Sequence, residues 1–335
     1  MRRNRLVGIV AVVIAVFATS CAEGPAEDAP PDNTAPQTLT GETLRYGIAD
    51  GTELVYDMTM SMDMVTDMRG AFVDQANMGA IEMDMDLSAS TAYEVSDGIE
   101  EGTYLVSMRF GDFSFDSLSM TMGGEDLMAG TDDLLDDSMS AEMAGLSEMK
   151  FVIDEQGQML GVTVDGQSVD FGNLSAGSQF GGFGSGTPFL GPELPDDVVA
   201  EGDTWSTTWD TEFVPGREIS VSADSRVLAV EGDVYVIETE TETSAIEMTM
   251  DDLLAASSTE EFDMTELAGM GDMSMTMSMD ATTGTSTVWF DVSRGIPVRQ
   301  EWSGGSTTSM SMNAAGESGA MDMEMSFSGT LELRG

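Results

Sequence analysis

Residues 54–64 read LVYDMTMSMDM, and from Leu54 every second residue is apolar as far as Met64. The positions between them, apart from Val55, are Asp, Thr and Ser. Successive side chains of a β-strand point to opposite faces, so this period of two predicts a strand with one apolar and one solvated face. A helix would need apolar residues three and four positions apart.

The same alternation recurs along the chain. It covers residues 81–93, 273–279 and 321–333, and shorter stretches at 118–122, 246–250 and 310–312. Strands with one polar and one apolar face are typical of antiparallel sheets that expose one side to water. Residues 124–147 and 251–269 instead favour helical spacing, with acidic residues near their starts.

Two halves of the chain show matching segments in the same order. DGTELVYDM at 50–58 matches EGDTWSTTW at 201–209, and the strand-turn-strand pattern after Lys150 matches the one after Val288. We therefore predict a mainly β fold with small helical inserts (α+β). It would comprise two tandem antiparallel β-sheet repeats, each a curved sheet or half-barrel with one helical segment. The repeats would cover 41–168 and 200–335, separated by a Gly/Phe/Pro-rich linker at 169–199.

The first forty residues predict export and lipid anchoring. Arg2, Arg3 and Arg5 precede an apolar run at 6–17, which at about 1.5 Å per residue is too short to span a bilayer as a helix. This is typical of a signal peptide, here 1–20. The single cysteine, Cys21, follows three small residues. Its position resembles the lipidation site of bacterial lipoproteins; the alternative is an ordinary signal peptide that leaves Cys21 as a free thiol.

Residues 21–40 would then form the lipid anchor and a disordered, proline-rich tether. Such a protein would be extracytoplasmic and held at the membrane of the cell envelope by its N-terminal lipid.

Charge and residue usage exclude several functions. The net charge is −49, which repels nucleic acid and anionic headgroups. The chain has no histidine, its one cysteine is assigned to lipid, and Lys150 is its only lysine. Catalysis by histidine or cysteine is therefore ruled out, and among 61 acidic residues the sequence does not single out a catalytic carboxylate pair. We predict neither an enzyme nor a cofactor. Protein partners are not indicated by the sequence.

Short motifs mark both halves: a glycine-led strand opening at Gly51 and Gly202, the stretch from Leu194 to Trp205, and Phe290 with Gly295. On these motifs the chain resembles an uncharacterised family of two-repeat bacterial envelope lipoproteins over about residues 43–335. That resemblance implies no activity. Its expected architecture is also similar to lipid carriers of the LolA and LppX/LprG type, which curl a sheet around helices to hold a lipid chain.

Thirty methionines are unusual in a strand-rich chain. Flexible thioethers suit surfaces that adapt to apolar ligands, pairs in M-x-M could bind Cu(I), and exposed methionines could consume oxidants. Alternatively, methionine simply fills the core.

We predict an envelope lipoprotein that binds or carries an apolar ligand such as a lipid. The alternatives are a structural or interaction lipoprotein with an acidic exterior and no ligand, or a protein that binds Cu(I). The candidate ligand-lining residues are Met58, Met60, Met62, Met64, Met83, Met85, Trp205, Trp209, Met273, Met275, Met277, Met310, Met312, Met321, Met323 and Met325.

Overall fold

The computed structural model describes residues 41–70, 80–98, 100–126, 149–164, 167–169, 191–214, 217–250, 252, 274–314 and 317–334. The predicted signal peptide, Cys21 and the tether therefore lie outside the described residues, as does most of the predicted linker. The described part consists of β-strands joined by turns and loops. Within it, no helix is long and apolar enough to cross a membrane.

The described residues form seventeen strands. Their bounds are β1 Glu42–Thr43, β2 Thr52–Gly70, β3 Ile81–Asp97, β4 Thr103–Met122, β5 Glu125–Asp126, β6 Met149–Asp154, β7 Met159–Val164, β8 Gln167–Val169, β9 Val198–Val199, β10 Thr204–Val214, β11 Arg217–Glu231, β12 Val234–Thr243, β13 Ile246–Thr249, β14 Ser274–Met279, β15 Thr282–Asp291, β16 Ile296–Ala314 and β17 Glu317–Leu333.

Fifteen of these strands form one antiparallel sheet, and β1 pairs with β9 in a separate two-stranded ribbon. The order in the large sheet is β10-β11-β12-β15-β16-β17-β2-β3-β4-β6-β7-β8, with β5 beside β4 and β13 and β14 beside β16. The last strand, β17, pairs with the first long strand, β2, from Tyr56 opposite Leu333 to Gly70 opposite Gly319. Both halves of the chain thus share one sheet.

The predicted fold class is wrong on two points. The two halves do not form separate sheets, because β17 and β2 carry matching alternation and pairing them extends a single apolar face across both halves. The expected helical inserts are also not found: residues 125 and 126 form β5, and only Met250 and Asp252 among the described residues have helical backbone. Gly124 lies in a turn, and the rest of both predicted inserts lies outside the described residues.

The polar and apolar faces follow from the period of two in the sequence. Leu54, Tyr56, Met58 and Met64 of β2 are buried, whereas Asp57 and its neighbours of the same parity lie toward solvent. Consecutive strands pair with these parities aligned, so the buried side chains share one face of the sheet. We call this the inner face and the acidic opposite side the outer face.

Residues 41–48 and 191–199 pack into the core on the inner face. Leu44, Tyr46 and Leu194 are at most 3% exposed. The Tyr46 ring meets Phe290 edge-on at 5.3 Å, and the Leu194 amide donates to the Gln156 carbonyl oxygen at 2.7 Å. The described end of the predicted linker is therefore part of the core, in contact with both halves.

Candidate functional site: a methionine-rich inner face

A row of four methionines crosses four neighbouring strands on the inner face. Met325 of β17 lies opposite Met64 of β2, Met64 opposite Met83 of β3, and Met83 opposite Met120 of β4. All four are buried, with exposed fractions between 3% and 7%. Directly opposite residues have Cβ atoms about 4.5–5.5 Å apart. The four thioethers therefore form a continuous, flexible apolar strip.

A second row lies four residue pairs farther along β17 and β2 and continues onto other strands. It links Met248, Met277, Met310, Met321 and Met68, on β13, β14, β16, β17 and β2 in that order. Met248 and Met277 are buried, and the other three are half-buried. Together the two rows and Met323 between them define what we call the methionine face.

The structure divides the predicted lining residues among three clusters. Met58, Met60, Met85 and Trp205 belong to the main core around Tyr56, and Met277, Met310 and Trp209 to a cluster with Met248. Met62, Met64, Met83, Met321, Met323 and Met325 form a third cluster. Met275 and Met312 oppose each other outside these clusters, and Met312 is 39% exposed. Met273 lies outside the described residues.

Four buried methionines were not among the predicted residues: Met120, Met248, Met279 and, in the main core, Met108. The alternation at 118–122 and 246–250 contained the signal for the first two, and Met279 ends the run that begins at 273. Only the strand order shows that these three adjoin the other methionines, and that order is not a property of any single stretch of sequence.

Polar groups interrupt the inner face at defined positions. Thr66 and Thr308 stand on either side of Met323, each 1% exposed, and neither hydroxyl has a hydrogen-bond partner within the described part of the chain. Gln300 Oε1 and Trp302 Nε1 are likewise buried and without a partner there. Each such group costs about 1–3 kcal/mol unless it finds a partner. The inner face therefore offers donors and acceptors beside its apolar rows.

The outer face above the methionines is acidic. Asp63 lies opposite Asp84, and burial, a hydrogen bond with Asp84 and the nearby negative charges raise its pKa. Asp86 accepts a hydrogen bond from Ser117 at 2.7 Å, and this bond lowers its pKa. In the described residues, no group of three or more His, Cys, Asp or Glu is arranged to hold a metal ion.

Comparison with family models and with curated proteins found no match. Among solved structures, OccK9 (OpdG) of Pseudomonas aeruginosa aligns over 84% of this chain and 98% of its own, with 7% identity and a TM-score of 0.23. OccK5 (OpdH) of the same organism aligns over 86% and 99%, with 6% identity and a TM-score of 0.19. Likenesses this weak carry no argument about fold or function.

Proposed function

We propose that this protein is a lipoprotein of the cell envelope that binds or carries an apolar ligand, such as a lipid, on the methionine face. The observation that carries the proposal is the buried row Met325–Met64–Met83–Met120 across four strands. Four adjacent thioethers give a wide surface whose side chains change conformation at little cost, which suits acyl chains of varying length and saturation.

The anchor and the charge of the chain support the same role. Lipidation of Cys21 would hold the body at the membrane, where lipids are available. The net charge of −49 disfavours anionic headgroups, so the ligand would be neutral or zwitterionic. The buried hydroxyls of Thr66 and Thr308 would pair with the few polar atoms of such a molecule.

Native mass spectrometry of the full-length chain, released from detergent, tests the proposal. We expect a bound apolar mass that organic extraction removes and that added phosphatidylethanolamine restores. The double variant Met64→Gln/Met83→Gln keeps the side-chain volume but makes the row polar, so it should lose this mass. Met312→Gln, at an exposed methionine, is the matched control and should retain it.

Two other results would overturn the proposal in favour of the alternatives. A ligand-free mass that phosphatidylethanolamine does not shift would identify a closed structural or interaction protein. A mass increase from copper under reducing conditions, without any lipid, would identify a Cu(I)-binding protein.

A further inference from the structure

The outer face carries a concave site of its own. A cavity of about 670 Å³ crosses β15, β16, β17, β2, β3 and β4. Thr59, Ser61 and Thr330 line its centre, Thr285 one end, and Asp86 and Asp116 the other. We call it the hydroxyl trough. With strands about 4.8 Å apart, its length across the sheet is about 24 Å.

The trough lies where the sheet is irregular. The pairing of β3 with β4 changes register between Asp86 and Leu87, and such bulges bend the bulged strand. On β17, Gly329 lets the Trp302 ring lie directly against the backbone, since an added Cβ would overlap that ring. Asp86, Leu87, Trp302 and Gly329 are all among the residues that line the trough.

Its surface is made mainly of hydroxyl groups. Eight of its fifteen lining residues are serine or threonine, and three are acidic. Thr59 Oγ1 bonds Thr330 Oγ1 at 2.8 Å, and Thr285 Oγ1 bonds Ser303 Oγ at 3.0 Å. The Thr59–Thr330 pair keeps one donor and several lone pairs for a ligand. The trough therefore presents donors and acceptors in fixed positions, strand after strand.

Two of its three carboxylates, those of Asp86 and Glu301, have polar or charged neighbours. Asp86 accepts hydrogen bonds from Ser117 and Ser61, and Glu301 pairs with Arg299. These contacts reduce the attraction for a cation, while the chain's net charge of −49 repels anions. What remains favoured is a neutral ligand rich in hydroxyl groups, which can donate and accept at once.

We propose that the hydroxyl trough binds a neutral, extended polyhydroxylated ligand, an oligosaccharide strand laid across the β-strands. The Thr59–Thr330 pair meets ligand hydroxyl groups, and Asp86 and Asp116 accept from others. The site is on the opposite side of the sheet from the methionine face, so it is independent of the apolar-ligand proposal.

Calorimetric titration of the full-length chain in detergent with chitohexaose, cellohexaose and maltohexaose tests this inference. At least one should bind, and Thr59→Val/Thr330→Val should weaken that binding about tenfold by removing two hydroxyls. Thr283→Val changes an exposed threonine of β15 outside the trough, so it should bind as the wild type does. Circular dichroism verifies that each variant is folded.

Three results would overturn the inference: no binding of any of the three hexasaccharides, wild-type affinity in the double variant, or displacement of the sugar by spermidine. The last would identify a cation site. Because phosphatidylethanolamine binding is measured separately, failure here is distinguishable from failure of the apolar-ligand proposal.

Discussion

The hydroxyl of Tyr56 donates a hydrogen bond to the carbonyl oxygen of Pro297 at 2.7 Å, inside the core. Tyr56 lies on β2 and Pro297 on β16, and β17 separates these strands in the sheet. The Tyr56 ring also meets Tyr93 edge-on at 5.5 Å. Burial raises the pKa of the Tyr56 phenol well above its ordinary value, so the hydroxyl stays a donor at all relevant pH values. One side chain thus ties the two halves of the chain together.

Replacing Tyr56 with phenylalanine should lower the free energy of unfolding by about 1–2 kcal/mol, because the buried Pro297 carbonyl loses this donor. Urea unfolding monitored by circular dichroism measures the effect. Tyr104→Phe is the control, since the Tyr104 hydroxyl bonds the Tyr46 carbonyl oxygen at a half-buried position and should matter less. If Tyr56→Phe were as stable as the wild type, the hydrogen bond would make no net contribution to the free energy of unfolding.

Gly329 and Trp302 form a tight pair that can be tested by a double-mutant cycle. An alanine Cβ at 329 would overlap the Trp302 ring and lie 2.7 Å from the Thr59 carbonyl oxygen. We expect Gly329→Ala to destabilise the protein by about 1–3 kcal/mol. In the Trp302→Leu background, Gly329→Ala should lower the free energy of unfolding by less. The difference is the coupling energy between the two sites.

Gly161→Ala is the matched control for this cycle. Gly161 also lies in a strand, but a Cβ there meets no atom within 4 Å. The Gly161→Ala variant should be as stable as the wild type or slightly more stable. If Gly329→Ala were equally harmless, the Trp302 ring could not lie against Gly329 as described.

The alternation in the sequence carries the information for individual strands and for the face of each side chain. Leu54 to Met64, for example, forms part of one strand with its even-numbered residues inward. It does not carry the strand order. Pairing of β17 with β2 depends on two segments more than 200 residues apart having compatible patterns, and many strands of this chain have such patterns.

The candidate site was predictable to the same extent. Met64, Met83 and Met325 are inward residues of alternating strands, and their burial follows from that alternation. Their alignment with Met120 follows from register alone. The hydroxyl trough had no signal in the sequence, because serine and threonine on an outer face are what any solvated sheet requires.

Asp63 should make stability depend on pH. Its raised pKa means that the folded state holds the proton more tightly than the unfolded state, so stability falls as pH rises through that value. Asp63→Asn removes the charge beside Asp84 and should stabilise the protein near neutral pH, by about 0.5 kcal/mol for so exposed a group. The difference in stability between Asp63→Asn and the wild type should disappear below about pH 4, where Asp63 is protonated in both the folded and the unfolded chain.

Asp57→Asn is the control with the opposite sign. The hydrogen bond from Arg334, with Nε 2.8 Å from Oδ1, lowers the pKa of Asp57. The stabilisation from this hydrogen bond is fully present above the pKa that Asp57 has in the unfolded chain. It is lost as pH falls through the lower pKa of Asp57 in the folded protein. The variant should therefore be slightly less stable near neutral pH and equal to the wild type in acid. If both variants shift stability in the same direction, the neighbours described for these sites, Asp84 beside Asp63 and Arg334 beside Asp57, are wrong.

Oxidation by hydrogen peroxide should distinguish the exposed methionines from those of the methionine face. Met312 is 39% exposed, whereas Met323 and Met277 are each 1% exposed. Peptide mapping should find sulfoxide at Met312 in the folded protein, and at Met323 only once urea unfolds the chain, because oxidant must reach the sulfur. Rapid oxidation of Met323 in the folded protein would mean that the face opens to solvent. In that case, bound phosphatidylethanolamine should slow the oxidation of Met323, because Met323 would lie beneath the ligand. The oxidation of Met312 should not change.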